Sequence, residues 1–501
     1  MRWLTPLIAA VLVLTGLTAP ASAAPDGTLT LASTTVSAGE PITATYSTPR
    51  PNATNWLGLY TDPGNGPVNE KYVGPSLKWV YVTAGSGTAT LPTDGLEPGT
   101  YIVFALAQDG YQWLATPVKL RITSNAPLHF ITDTFDLRNA RAAAPYQATI
   151  RGLVRGNTDG LTFRKTGGAQ WIDVSANGDI TGTPRTGDKW LRVEARNASG
   201  ETSTATVGIE VRSPGTRLVP ELKTMTFNLW HGGSQVFNGR EKQLRTLLKS
   251  DVDIVGLQET SATSTRELAE ALGWDYHQTG SDLGVISRYP IVERKDGPAA
   301  AMKVRVRFED RHEVVVWNVH LGYTPYGPYD ACFGKMTQEQ LLANEEKSGR
   351  TPQIKGVLQE MKPDLAAASR AAVLLTGDFN APSHLDWTNR CGYDTVPWPT
   401  SVLPTQAGLR DSFRAVNPVS TLGNTWSPVY PIFTGGYGHD EHKGEPEPQD
   451  RIDFVYYAGM LSVADSKTVV EGKPTAVPNH RGNAWPSDHA AVLTTFQVPG
   501  R

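Results

Sequence analysis

The sequence predicts a multidomain chain in which two all-β sandwiches precede an α/β domain. Three observations carry that prediction. Short alternating apolar runs, separated by Gly, Pro, Asn and Asp, fill residues 24–213. From residue 222 onward, apolar strands alternate with segments of helical periodicity. Between the two regions lies SPGTRLVPE, Ser213–Glu221, where Pro and Gly cluster and the pattern changes.

The chain is expected to divide into 1–23, a signal peptide; 24–124 and 125–213, two β modules; 214–221, a linker; and 222–501, the catalytic domain. In the first segment Arg2 supplies a positive start, Leu4–Leu17 an apolar run, and Ala21-Ser22-Ala23 a small-residue cleavage site. The apolar run is shorter than the ~20 residues of a spanning helix, and no later segment is apolar enough to span a bilayer. A secreted, extracellular protein cleaved after Ala23 is therefore expected. Its two cysteines, Cys332 and Cys391, are able to form one disulfide in that compartment. Lys and Arg total 46 against 49 Asp and Glu, so no basic excess advertises nucleic-acid binding. A nuclease is not excluded, because phosphate can also be held through bound metal.

The first β module contains TLTLAS, ITATYS, WVYVTA, YIVFALA and VKLRIT. Its NWLGLY, KWVYV and LEPGTYIVFALAQDGYQWLA resemble immunoglobulin-like modules appended to secreted bacterial enzymes. The second contains YQATIRG, LTFRKTG, WIDVSANGDITGTP, WLRVEARNASG and TATVGIEV. PYQATIRG, WIDVSANGDITGTPRTG and EARNASGE in it are similar to an immunoglobulin-like domain of bacterial surface and secreted proteins. Neither module gathers acids, histidines or nucleophiles. Both read as spacers or as binders of a polymer or cell surface. Trp56, Trp79 and Trp113 fit either a sugar platform or core, and core is the simpler reading because buried aromatics dominate small β cores.

In the last domain, polar residues recur where apolar strands end. Asn228 ends TMTFN, Glu259 follows DIVGLQ, and His320 ends VVVWNVH. Asp378 and Asn380 follow AAVLLTG, and Asp453 sits in RIDFVYY. Ser487, Asp488 and His489 precede the final strand. Strand ends on one side of a sheet converge in space, and every one of these groups is of metal-ligand or acid–base type. Hydrolysis of a phosphoester needs neutralised phosphate oxygens, an activated water and a protonated leaving group. Hard oxygen ligands of this kind suit Mg2+.

The order FN, LQE, NVHL, GDFNAPS, RIDFVYY, SDHAAV resembles the endonuclease/exonuclease/phosphatase superfamily of deoxyribonuclease-I-like fold, over about Glu221 to Val498. That resemblance implies a four-layer α/β sandwich, two packed mixed sheets flanked by helices. It implies Mg2+, with Mn2+ as the alternative, held by Glu259 with Asn228 and Asp488 nearby. Asp378 would orient or deprotonate the attacking water, and Asn380 would hydrogen-bond phosphate or that water. His489 would contact phosphate with Asp453 fixing its ring. His320 would serve as general acid or phosphate ligand. The expected activity is a phosphoesterase, with a phosphodiesterase or nuclease first and nucleic acid the first partner. A sphingomyelinase-type lipid phosphodiesterase and a sugar or inositol phosphatase are the alternatives. A surface-binding protein with an inactive last domain is the reading from another class.

Some residues stay open on sequence alone. Asp450 competes with Asp453, and Arg451 offers Asp453 an ion-pair partner. His231 with Gly232-Gly233 either shapes the site or turns the chain. Asp411 resembles a structural motif of the superfamily. Tyr323, Tyr326 and Tyr329, in the loop after His320, either stack on substrate or pack the loop. His439 and His442 are too irregularly placed for a zinc site.

Overall fold

The structure, a computed structural model, describes residues 25–499 except 63, 65, 95, 97, 188 and 311. The expected signal peptide, 1–23, lies outside the described residues. The chain forms two compact units, one of residues 1–94 and 99–122, the other of 95–98 and 123–501.

The first unit is all β, with one three-stranded and one five-stranded sheet. Its strands alternate in burial; Ile42–Ser47, for example, buries Ile42, Ala44 and Tyr46. Trp56 is buried and donates its indole N–H to the Gly110 carbonyl, and Trp113 donates to that of Pro67. Trp79 is 55% exposed. The core reading therefore holds for Trp56, while Trp79 stands outside.

The second unit contains the second β module and the α/β domain together. Its first sheet strands are β1 (Glu221–Asn228), β2 (Ile254–Gln258), β3 (Asp275–Thr279) and β4 (Leu283–Ser287). The other sheet begins with β5 (Ile291–Asp296), β6 (Ala301–Glu309), β7 (His312–His320) and β8 (Ala372–Asp378). It is completed by β9 (Arg410–Asp411) and β10 (Asp453–Ala458), and the first sheet by β11 (Ser462–Val469) and β12 (Ala491–Gln497). The orders are β3-β4-β2-β1-β12-β11 and β5-β6-β7-β8-β10-β9. Both sheets are mixed: β1 pairs parallel with β2 and β7 with β8, while their other partners run antiparallel.

The central strands read as continuous apolar runs because they are covered on both faces. β2 is buried at every position, whereas the edge strand β5 exposes charges. Between the sheets, Ile254, Val285, Val492 and Phe496 meet Val304, Val316, Leu374 and Val455. Helix α1 (Gly239–Ser250) and helix α2 (Ser264–Leu272) cover the outer face of the first sheet. Helix α3 (Arg350–Ala366) covers the second, through Ile354, Val357 and Met361. These are the four layers of the expected sandwich.

Polar groups also cross between the sheets. Gln258 Nε2 donates to Asn318 Oδ1 at 2.8 Å, and Asn318 Nδ2 donates to the Leu257 and Gly284 carbonyls. Gly256 permits this approach: a Cβ there would lie 2.2 Å from Thr376 Oγ1.

The second β module differs from a spacer. Its Leu153, Phe163, Ile180 and Val207 share one hydrophobic core with Leu244, Leu247 and Leu268 of α1 and α2. Arg141 pairs with Glu309 at 2.7 Å, and Asn139 hydrogen-bonds Tyr289 and Leu218. Residues 214–221 thus join parts of one compact unit.

Candidate active site

β1, β2, β7 and β8 all deliver their C-terminal ends to one edge, where β10 begins. His320, Asp378 and Asp453 lie abreast there, because His320 pairs with Asp378 and Asp378 with Asp453 in strand register. Ser487 closes the arrangement from the segment before β12. Its hydroxyl donates to the Asn228 carbonyl at 2.7 Å and accepts from the His489 N–H at 3.0 Å. A short serine is what lets that segment lie against the end of β1.

Asp378 is the centre. It is buried, its Oδ1 accepts from the Asn380 backbone N–H at 2.8 Å, and its Oδ2 accepts from Asn228 Nδ2 at 3.1 Å. Both His320 Nε2 and His489 Nε2 stand 3.7 Å from that same Oδ2. Each imidazole is turned by an acid on its other nitrogen. His489 Nδ1 donates to Asp453 Oδ2 at 2.9 Å, and His320 Nδ1 to Asp282 Oδ1 at 2.8 Å.

The charges follow from this packing. Burial, together with the neighbouring Asp453 charge, pushes the Asp378 carboxyl up to about 6, against the pull of the two histidines. Burial works against a proton on His320. The hydrogen bond to Asp282 and the charges of Asp378, Asp282 and Glu259 outweigh it and hold His320 up to about 9. Burial likewise opposes the His489 proton, and the Asp453 and Asp378 charges carry that imidazole well above its ordinary range.

Beside Asp378 lies a second acidic group. Glu259 is half-buried; its Oε1 accepts from Asn228 Nδ2 at 3.1 Å and its Oε2 from the His231 backbone N–H at 2.9 Å. Burial would raise its pKa, but the His489 and His320 charges and those two hydrogen bonds bring it below the usual value. Glu259 has φ 53° and Asn380 φ 49°, left-handed conformations that non-glycine residues hold at a cost of about 1–2 kcal/mol. Asp488 is buried, and its Oδ1 has no partner among the described residues. Burial, then the Glu259 and Asp378 charges, push its carboxyl up to about 7 against His489.

A buried acid with a free oxygen beside another carboxylate suits a hard divalent cation, which neutralises both. Glu259 and Asp488 are the residues fitted to hold one. Asn228 bridges instead. Its Oδ1 accepts from the Trp230 N–H at 2.9 Å, so its NH2 faces Glu259 and Asp378 and its oxygen is turned away. Asp378, Asp453 and His489 also offer ligand atoms within 4.8 Å of one another. Both nitrogens of that imidazole face carboxylates, Asp453 through a hydrogen bond and Asp378 at 3.7 Å. We read those three as an acid–imidazole–acid array, hydrogen-bonded on the Asp453 side and spaced at 3.7 Å on the Asp378 side.

All eight sequence candidates fall in this edge or its first turn. Asn380 contributes its backbone N–H to Asp378, while its Nδ2 donates to the Leu321 carbonyl at 2.9 Å. The competing assignments separate cleanly. Asp450 faces Arg390 and Trp387, and Arg451 faces Asp386 and Asp411, so Asp453 alone meets His489. Asp411 also caps the short helix that follows it. Tyr326 and Tyr329 are buried, with hydroxyls on Asp450 and Glu447, so they pack the loop; Tyr323 is 61% exposed. His439 pairs with Asp330 and His442 with Glu445. Cys332 and Cys391 form a disulfide, Cα to Cα 4.9 Å.

Two participants escaped the sequence reading. Asp282, which orients His320 and also accepts from the Glu259 N–H at 3.2 Å, opens the run DLGVIS. It sits where a strand begins, whereas Asn228, Glu259, His320 and Asp378 sit where strands end. Trp426 places its ring edge-to-face against His489 at 5.1 Å, with its indole N–H on Glu447. A lone Trp in NTWSP carries no local signal.

Two facing mixed sheets bring paired acids and imidazoles together at their strand ends. The chain belongs to the Endonuclease/Exonuclease/phosphatase family, which it matches over residues 225–489. An uncharacterised protein of Caenorhabditis elegans is 33% identical over 293 residues, 55% of this chain and 91% of the relative. Among solved structures, truncated C. elegans TDP2 is similar at 16% identity, covering 56% of this chain and 98% of its own, with TM-score 0.36. An endonuclease/exonuclease/phosphatase family protein from Bacteroides thetaiotaomicron is similar at 18% identity, covering 55% and 97%, with TM-score 0.37. Among the described residues, no helix is long and apolar enough to cross a membrane.

Proposed function

We propose that this chain is a secreted phosphodiesterase that works with Mg2+ or Mn2+, and that nucleic acid is its substrate. One observation carries the reading: a single oxygen of Asp378 is faced at equal distance by two imidazoles, each aligned by its own carboxylate. A carboxylate between two imidazoliums suits a centre that takes a proton from water and gives one to a leaving oxygen.

The residues divide the work as follows. Asp378 orients the attacking water and accepts its proton; a carboxyl lifted to about 6 is a better base than an ordinary aspartate and is still ionised at neutral pH. Asn380 and Asn228 hold its two oxygens in place. His489, fixed by Asp453, presents a protonated Nε2 to a phosphate oxygen. His320 is more open and protonated to about pH 9, and it serves as the acid for the leaving group. A divalent cation held by Glu259 and Asp488 supplies charge neutralisation at the phosphate when bound.

Export is part of the proposal. Its supports are the apolar run before Ala23 and the Cys332–Cys391 bridge, which suits an oxidising compartment. The β modules are proposed to be immunoglobulin-like and to bind a polymer or cell surface. The test is purified protein from residue 24, incubated with Mg2+ or with EDTA on plasmid DNA, sphingomyelin vesicles and inositol phosphates. Metal-dependent nicking of plasmid is expected. Cleavage of lipid or monoester alone would move the substrate to that class, and silence on all three would sink the enzymatic reading.

A further inference from the structure

Two pairs of aromatic side chains lie near the site, one against His489 and one beginning in the loop that follows His320. Trp426, against His489, stacks on Tyr430 with centroids 5.3 Å apart and planes at 25°. Ser427, between them in sequence, donates its hydroxyl to the Asp488 carbonyl at 2.6 Å, which ties this loop to the site. Gln449 secures the same loop through the Tyr430 carbonyl and the Ser427 N–H. In the second pair, Tyr323 lies three residues beyond His320. It meets Tyr437 edge-on, with centroids 6.4 Å apart and planes at 85°. Tyr323 and Tyr437 are 61% and 53% exposed, and Tyr430 is half-buried.

We propose that Tyr323, Tyr430 and Tyr437 form a stacking subsite for a nucleobase on the nucleoside that carries the scissile phosphate. This rests on the phosphodiesterase reading and names the part of the substrate that the mouth recognises. Tyr323 and Tyr437 meet edge-on and Tyr437 also meets Tyr329, yet both stay more than half exposed, and planar guests bind to open ring faces of this kind. Burial first, and after it the charges of Asp488 and Glu447 and the neighbouring phenols, raises the Tyr430 and Tyr437 hydroxyls above their ordinary pKa. A base is planar, uncharged and bears N–H donors that acids and phenol oxygens accept.

The test compares two diesters with one leaving group, thymidine 5′-(4-nitrophenyl phosphate) and methyl 4-nitrophenyl phosphate, on the full chain with Mg2+. Wild-type protein is expected to favour the thymidine diester in kcat/KM by about tenfold or more. In Tyr323→Ala/Tyr437→Ala that preference should collapse through KM, and in the corresponding double Phe variant it should remain, because stacking needs the ring and not the hydroxyl. Turnover of both diesters without preference, or a preference that survives the Ala variant, overturns the subsite and leaves the phosphodiesterase reading standing. Turnover of neither removes that reading and the subsite with it.

Discussion

The two histidine–acid pairs that flank Asp378 have the same bond pattern and different surroundings. In the His489–Asp453 pair the side chains are 5% and 0% exposed; in the His320–Asp282 pair they are 18% and 48% exposed. Asp453 comes from β10 in the middle of a sheet, while Asp282 comes from the turn before β4. The difference teaches what each pair is suited to. A buried pair keeps its charge and geometry fixed and serves as a stationary partner for phosphate. A pair open to water can lose and regain a proton, which a general acid must do in every cycle.

The largest expected effect comes from breaking the buried pair. His489→Ala should lower kcat/KM by about 10⁴-fold, the upper end for a group of this type. It should also destabilise the fold by about 3–5 kcal/mol, because Asp453 is left buried without its partner. Urea unfolding of the variant checks the second statement. If stability were unchanged, the pair would not be the fixed element described here.

His320→Ala should cost about 10²–10³-fold in kcat/KM, with a smaller loss of stability, since Asp282 regains water. A leaving group of low pKa, such as 4-nitrophenol, needs little protonation. The loss should shrink on such an ester if His320 is the acid, whereas the loss in His489→Ala should persist. Equal losses on both esters would dissolve the division of roles.

The next effect is on pH. The folded His320 is raised from its ordinary 6.5 to about 9, so its proton stabilises the folded state fully below 6.5, and that contribution fades as pH rises through 9. The amount is about 3 kcal/mol at most. Activity should fall over the same limb. Asp282→Asn, the mildest change, should cost about tenfold and move that limb to lower pH, because the hydrogen bond that raises His320 would lose its charge. A limb that stays in place would assign it to another group.

Much of the site was legible because apolar strands announce their ends. Asn228, Glu259, His320 and Asp378 close runs buried on both faces, and a polar group there has nowhere to go but the sheet edge. Asp453 and His489 were legible through their motifs, and their meeting was implied by the family resemblance alone. Asp282 was not, since its role comes from pairing between β4 and β2 and not from its own neighbours. The turned amide of Asn228 was not, because it depends on one backbone N–H, that of Trp230. At the level of the fold, both β modules read alike, yet the second shares its core with α1 and α2. An alternating strand shows that one face is covered and not what covers it.

The central claim is that Asp378, between the two imidazoles, activates the water. Asp378→Asn keeps the shape and removes the base. With Mg2+ and plasmid DNA, the wild-type chain is predicted to nick the DNA and lose that activity in EDTA. Asp378→Asn is predicted to fall by about 10³-fold or more while keeping the circular-dichroism spectrum of the wild type. Nicking by the variant at a rate near wild type would contradict the account.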